Sequence, residues 1–266
     1  MSTRPFLIDS HCHLQYLEPQ ARSQAIARAH ARGVDGILVP ATLLAQAEEL
    51  LALCHEHENL WCALGVHPHE AASWKPGDEA RLRDLLADPK AVAVGECGLD
   101  FFYDHAPREV QEEVLRAQWR VAVELDLPAI VHNRDSNERM LELFGEAEFA
   151  GLKADFHSFA GGSEMGRTVI ARGAVLGMSG MITFPKAENV REVIAQTPHD
   201  RFLVETDTPY LAPVPFRGQS NEPAYTVEIA ERLGKELGLD LEATAALTTA
   251  NFFRVFPKAK ATAALG

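Results

Sequence analysis

The chain has 266 residues, of which 47% are hydrophobic and 24% charged, and its formal net charge is −13. That size and apolar fraction suit one large domain with a substantial core, and no apolar run approaches the roughly 18 residues that would span a bilayer. So acidic a balance argues against a broad surface for coating duplex nucleic acid, but leaves room for one cationic pocket made by bound divalent ions and a few arginines.

At the N-terminus, Met1-Ser2-Thr3-Arg4-Pro5 leads directly into a strand-like run and has neither the apolar stretch nor the cleavage site of a secretory signal. Eight β-rich apolar runs follow: Phe6–Asp9, Gly36–Pro40, Trp61–Val66, Ala91–Gly95, Ala129–His132, Ala154–His157, Ala174–Met178 and Phe202–Glu205. Helical patterns lie between them. Arg22–Arg32 stops before Gly33, Leu43–Glu58 follows the second strand, and Arg108–Leu125 carries Val110, Val114, Val121 and Leu125 as an apolar stripe. Pro223–Leu237 starts on a proline and precedes Gly238. Short apolar strands alternating with helices predict a parallel sheet buried on both faces. Eight such units predict an α/β fold of the (β/α)8 TIM-barrel type, a single domain over 1–266. An open doubly wound sheet is the alternative, although no clean GxGxxG follows the first strand. The four cysteines, Cys12, Cys54, Cys62 and Cys97, have no CxxC spacing and read as reduced thiols of a cytoplasmic protein.

Polar residues cluster where these strands end. Asp9, His11 and His13 alternate along extended chain and so point one way, with Ser10 and Cys12 pointing the other. His55 and His57 repeat the HxH spacing inside a helical pattern, where residues two apart do not face each other, and read as solvated surface histidines. Glu96 ends the fourth strand, His132 the fifth, His157 the sixth and Asp207 the eighth. Taken singly, each is as readily a helix cap as a ligand. In a barrel, however, the C-terminal strand ends converge on one face, and imidazoles gathered with carboxylates there suit a borderline divalent metal. Six candidates exceed the needs of one ion and predict two, with Glu96 shared between them, His11, His13 and Asp207 on one and His132 and His157 on the other. Zinc, manganese, iron and, less comfortably, magnesium fit such donors. Asp207 is the candidate to orient and deprotonate the attacking water. His67, Arg134 and Arg217 are candidates for substrate phosphate, with loop hydrogen bonding or surface ion pairing as the alternatives. His69 follows His67 with a weaker case. Phe101, Phe102 and Tyr103 could stack a base or pack under their loop, and Asp9 and Glu205 are expected to orient ligand imidazoles.

Asp9-Ser10-His11-Cys12-His13, Gly65-Val66-His67-Pro68-His69, Gly95-Glu96-Cys97-Gly98-Leu99-Asp100, His132 with Arg134, His157-Ser158-Phe159 and Glu205-Thr206-Asp207-Thr208-Pro209-Tyr210-Leu211 together resemble the TatD family of metal-dependent hydrolases. Arg217 with Asn221-Glu222-Pro223, and Asn251-Phe252-Phe253, extend the match, and Ala160 is a small departure from it. The resemblance implies a TIM barrel with a binuclear site and deoxyribonuclease activity, 3′→5′ on single strands. The ligand positions it implies are the six already chosen. DNA, most readily its single-stranded ends, is then the expected partner, with no membrane and no obligate protein partner. A metal-dependent deacylase or amidohydrolase, for example on aminoacyl-tRNA, is the competing enzyme, because the same site serves both reactions. A metal-stabilised interaction module is the non-enzymatic alternative.

Overall fold

The computed structural model describes residues 6–264; the lead-in expected at residues 1–5 lies outside them. Eight strands, β1 (Leu7–Asp9), β2 (Val34–Pro40), β3 (Leu60–Leu64), β4 (Ala91–Asp100), β5 (Ala129–Arg134), β6 (Ala154–Phe156), β7 (Val175–Met178) and β8 (Phe202–Val204), alternate with helices. They follow one another in the sheet in chain order, as the (β/α)8 TIM-barrel class requires. β3 and β4 are buried along their whole length, which is why β3 and the first part of β4, Ala91–Val94, read as unbroken apolar runs rather than as alternating ones. Among the described residues no helix is long and apolar enough to cross a membrane.

Two compact units divide the chain, one comprising residues up to Val39 with Ser158–Arg167 and Val175–Arg254, the other Pro40–His157, Thr168–Ala174 and the residues from Val255 onward. In the first, β1 pairs with β2, and β7 with β8, all parallel. The helix Thr226–Leu237 buries Val227, Ile229, Ala230 and Leu233 and ends at Gly238, whose φ of 71° is the left-handed turn that closes a helix without a Cβ penalty. Asn251, on the helix Leu241–Val255, donates through Nδ2 to His199 O at 3.0 Å and Phe202 O at 2.9 Å, fixing the start of β8.

In the second unit β3, β4, β5 and β6 run parallel. The helix Arg108–Glu124 buries Val114, Leu115, Trp119, Val121 and Ala122, with Trp119 edge-on to Phe144 and Phe149. It also buries two amides. Gln118 accepts from Val66 N at 2.7 Å and donates to Val66 O at 3.0 Å. Gln111 accepts from Asp100 N at 2.8 Å and donates to Asp100 O and Ala106 O. Each amide replaces strand pairing just where a strand runs out, so the chain ends leading to His67 and Asp100 are held rather than frayed. Solvent-screened pairs such as Arg83 with Glu124 contribute little, so the apolar layer carries the fold.

The main departure from expectation is β4. Its apolar pattern predicts an end at Gly95, yet the strand continues to Asp100, pairing Cys97 with Val131 and Gly98 with His132 after an irregularity beyond Val94. Glu96 is therefore within the strand rather than at its end. Gly98 makes the continuation feasible, because a Cβ there would lie 1.9 Å from His132 O. Elsewhere boundaries move by a few residues. The expected helix over 43–58 divides into a 3-10 turn, Leu44–Gln46, and the helix Ala47–His55. Gln46 Oε1 accepts from Thr42 N and Leu43 N and so defines that turn. His55 closes the helix and pairs with Asp88 at 3.0 Å; neither it nor His57 joins a ligand cluster among the described residues.

Candidate metal centre

In the first unit, the chain leaving β1 remains extended enough to bring His11 and His13 to the same side, both buried. Cys12 faces away and bridges to Thr208. The two Nε2 atoms are 3.2 Å apart, and Asp207 Oδ1 lies 3.9 Å from His11 Nε2 and 3.7 Å from His13 Nε2. Asp207 takes a left-handed backbone, φ 59°, with its N–H donating to His11 O at 2.8 Å, which turns its carboxylate back onto the histidines. Two imidazole nitrogens and a carboxylate oxygen within reach of one another are the donor types a borderline divalent ion takes. Gln15 lies beside His13 Nδ1 at 3.2 Å, and an amide oxygen turned there would hold the Nδ1 hydrogen and leave the Nε2 lone pair for an ion.

Asp9 takes a different part from the one expected. Its Oδ2 accepts from the Thr206 hydroxyl at 2.6 Å and its Oδ1 from Thr206 N at 2.9 Å and His11 N at 3.3 Å. It thus pins the backbone on either side of the cluster. Burial pushes its pKa up to about 7 against those hydrogen bonds. Glu205 likewise accepts from Ser158 N and fills the space a Cβ on Gly177 would occupy.

The second unit gathers Glu96, His132, His157 and His67. Glu96 Oε1 lies 3.0 Å from His132 Nδ1, 3.1 Å from His157 Nε2 and 3.4 Å from His67 Nε2. Three imidazoles around one carboxylate oxygen exceed what its two lone pairs can accept well, and that crowding suits a cation in their midst. Hydrogen bonding separates the three. His132 Nε2 faces Asp100 Oδ2 at 3.1 Å, so a hydrogen held there leaves the Nδ1 lone pair toward Glu96. His67 is arranged the other way: its Nδ1 accepts from His69 N at 3.1 Å, which places the ring hydrogen on Nε2, aimed at Glu96. Within the cluster by distance, His67 can donate but not coordinate. Burial drives its pKa down to about 4 and keeps it neutral. Burial also opposes protonation of His132, but Asp100 and Glu96 outweigh it and raise its pKa.

Asp100 is the residue that the sequence pattern missed. It is wholly buried, its Oδ2 meets His69 Nε2 at 2.8 Å as well as His132, and its Oδ1 accepts from Phe102 N and Tyr103 N. Despite burial, those hydrogen bonds hold its carboxyl far below the ordinary carboxylate range. The signal was present: in extended chain Asp100 shares the face of Glu96 and Gly98, but only once β4 is known to reach that far. Of the other candidates, Arg134 is exposed at the end of β5 with its guanidinium 4.3 Å from the Phe102 ring centre. Arg217 lies 4.0 Å over Phe184 in the first unit. Neither is among the ligating groups.

Comparison with known proteins is consistent across the chain's length. A family described as TatD related DNase matches residues 8–257. The metal-dependent hydrolase YabD of Bacillus subtilis is 35% identical over 251 residues, 94% of this chain and 98% of that protein. A protein of Escherichia fergusonii named as the 3′-5′ ssDNA/RNA exonuclease TatD is 34% identical over 240 residues, 88% of this chain and 92% of its own length. Among solved structures, YJJV, a TatD homologue from Escherichia coli, is 30% identical with a TM-score of 0.87, covering 94% of this chain and 98% of that one.

Proposed function

Because the chain belongs to the TatD-related DNase family and is a metal-dependent hydrolase, we propose that it is a 3′→5′ exonuclease cleaving phosphodiester bonds at single-stranded DNA ends. The observation that carries this reading is the pair of ligand clusters, each combining imidazoles with a carboxylate. His11, His13 and Asp207 are assigned to one divalent ion and Glu96, His132 and His157 to a second, zinc, manganese or magnesium in character. A relative of comparable length and about one-third identity named as an exonuclease supports the nucleic-acid substrate.

When bound, such ions lower the pKa of water toward neutrality and neutralise developing charge on phosphate oxygens. The chain's own residues do the rest. Asp207, aimed at both histidines of its cluster, takes the proton of the attacking water. Asp100 holds His132 in the tautomer that presents Nδ1, and His67 steadies Glu96 through its Nε2 hydrogen. Arg134 and Arg217 bind backbone phosphates. The four cysteines are buried and unbridged, which supports a reduced, cytoplasmic setting.

The test measures metal content and then assays end-labelled single-stranded DNA and an aminoacyl-tRNA side by side. Two equivalents of metal, shortening of the DNA and loss of that activity in His132→Ala are expected. Release of the amino acid from the tRNA with the DNA left intact would replace the nuclease by the deacylase.

A further inference from the structure

We infer that Phe102, Tyr103 and Arg134 form a stacking site for one unpaired nucleobase beside the Glu96, His132 and His157 cluster. This rests on the nuclease reading and names what that site recognises. Phe102 is 54% exposed and Tyr103 49%, two consecutive large rings shown to solvent where a chain would ordinarily cover or replace them.

The loop carrying them is not loose. Phe102 N and Tyr103 N donate to Asp100 Oδ1 at 3.0 and 2.9 Å, Phe101 N donates to Arg134 O at 2.9 Å, and Gln111 closes the base of the loop through Ala106 O. The Tyr103 ring is backed by His105, nearly parallel at 7°, and meets the edge of His69. The exposed rings are thus held by the same carboxylate that orients His132, which sets their position relative to the ligand cluster.

Arg134 completes the site. Its guanidinium lies 4.3 Å from the Phe102 ring centre and 4.7 Å from that of Tyr103. An exposed cation–π contact is weaker than a base stacked on an aromatic ring. An incoming base therefore takes the guanidinium's place, and Arg134 turns to the adjoining phosphate, for which its planar fork is suited. His132 and Arg134 alternate on β5 and share a face of the strand, so the phosphate held by Arg134 is carried toward the cluster. On a chain of net charge −13, this cation beside two rings matches the two parts of a nucleotide. Every base has a π face, so the site reads no sequence. A base in a duplex is already stacked and an abasic end has nothing to offer, so both are disfavoured.

The test compares a single-stranded oligodeoxynucleotide with an intact 3′-terminal base against one whose 3′-terminal nucleotide is abasic. The metal-loaded protein is expected to prefer the intact end by about tenfold or more in kcat/KM, the size of one stacking contact. Phe102→Ala with Tyr103→Ala should bring that ratio close to one, whereas Tyr103→Phe keeps it. In parallel, quenching of a 3′-terminal 2-aminopurine in a phosphorothioate oligonucleotide, which resists cleavage, reports stacking without turnover. Quenching that is lost in the double alanine variant supports the site even if DNA proves not to be hydrolysed, in which case the nuclease reading alone fails. DNA hydrolysis with no preference for the intact end and no quenching overturns the stacking site and leaves the nuclease reading standing; the exposed rings would then belong to a protein contact.

Discussion

The histidines and carboxylates of the two clusters are separated in role by the hydrogen bonds behind them. His67 and His132 both face Glu96, yet a backbone N–H holds one ring at Nδ1 and a carboxylate holds the other at Nε2, so one donates and the other has a lone pair to offer. Asp207 differs from all of them in its left-handed backbone, a conformation that asparagine tolerates as well as aspartate does. Asp207→Asn should therefore leave the fold and the thermal midpoint of the metal-free protein nearly unchanged while lowering kcat by about 100-fold or more, the scale of a lost general base. Steady-state kinetics and a melting curve on the same preparation decide it, and a near-normal rate would remove Asp207 from the proton transfer. Alternation after the first strand and placement at the ends of later strands nominated His11, His13, Glu96, His132, His157 and Asp207 as a ligand set. They could not tell donor from acceptor among imidazoles, because a tautomer is set by neighbours distant in the chain.

At the level of elements, β4 determines the geometry of the second cluster. Its continuation past Gly95 aligns Glu96, Gly98 and Asp100 on one face, and the close approach of Gly98 to His132 permits no side chain. Gly98→Ala should destabilise the protein by about 3 kcal/mol or more, since a Cβ against a buried carbonyl forces β4 and β5 apart and leaves backbone groups unpaired. Chemical denaturation measures the loss directly, and a change below about 0.5 kcal/mol, the level of an ordinary surface substitution, would show that the strands are free to separate. The apolar run Ala91–Val94 announces where β4 starts. Its end was illegible because glycines and a glutamate ordinarily signal a strand's exit, and here each serves the site instead. The helix Arg108–Glu124 was legible as an amphipathic stripe, but nothing in that periodicity distinguished Gln111 and Gln118 as the buried amides that finish two strands.

For the whole molecule, metal and stability are linked. Ions that bind the folded chain and not the unfolded one stabilise it by about 2.7 kcal/mol at 100 times their dissociation constant, so chelation should lower the thermal midpoint by roughly 5 to 10 °C for a chain of this size. Activity should be lost over the same chelator range and both should return on adding zinc or manganese; calorimetry with and without chelator checks this. An unchanged midpoint together with unchanged activity would mean that neither cluster holds a functional ion.

While the resemblance to TatD hydrolases rested on the motifs themselves, strand and helix periodicity was enough to determine the (β/α)8 class and, read with the polar residues at strand ends, to nominate candidate metal ligands. Those properties repeat locally, at spacings of two and of three to four residues, and so survive in one dimension. The part played by Asp100, the divided roles of His67 and His132, the reach of β4 and the pairing of Arg134 with two exposed rings were decided only by tertiary structure. Each depends on which atoms from separate strands and loops come within hydrogen-bonding or ring-contact distance, and that is a property of packing which no local pattern records.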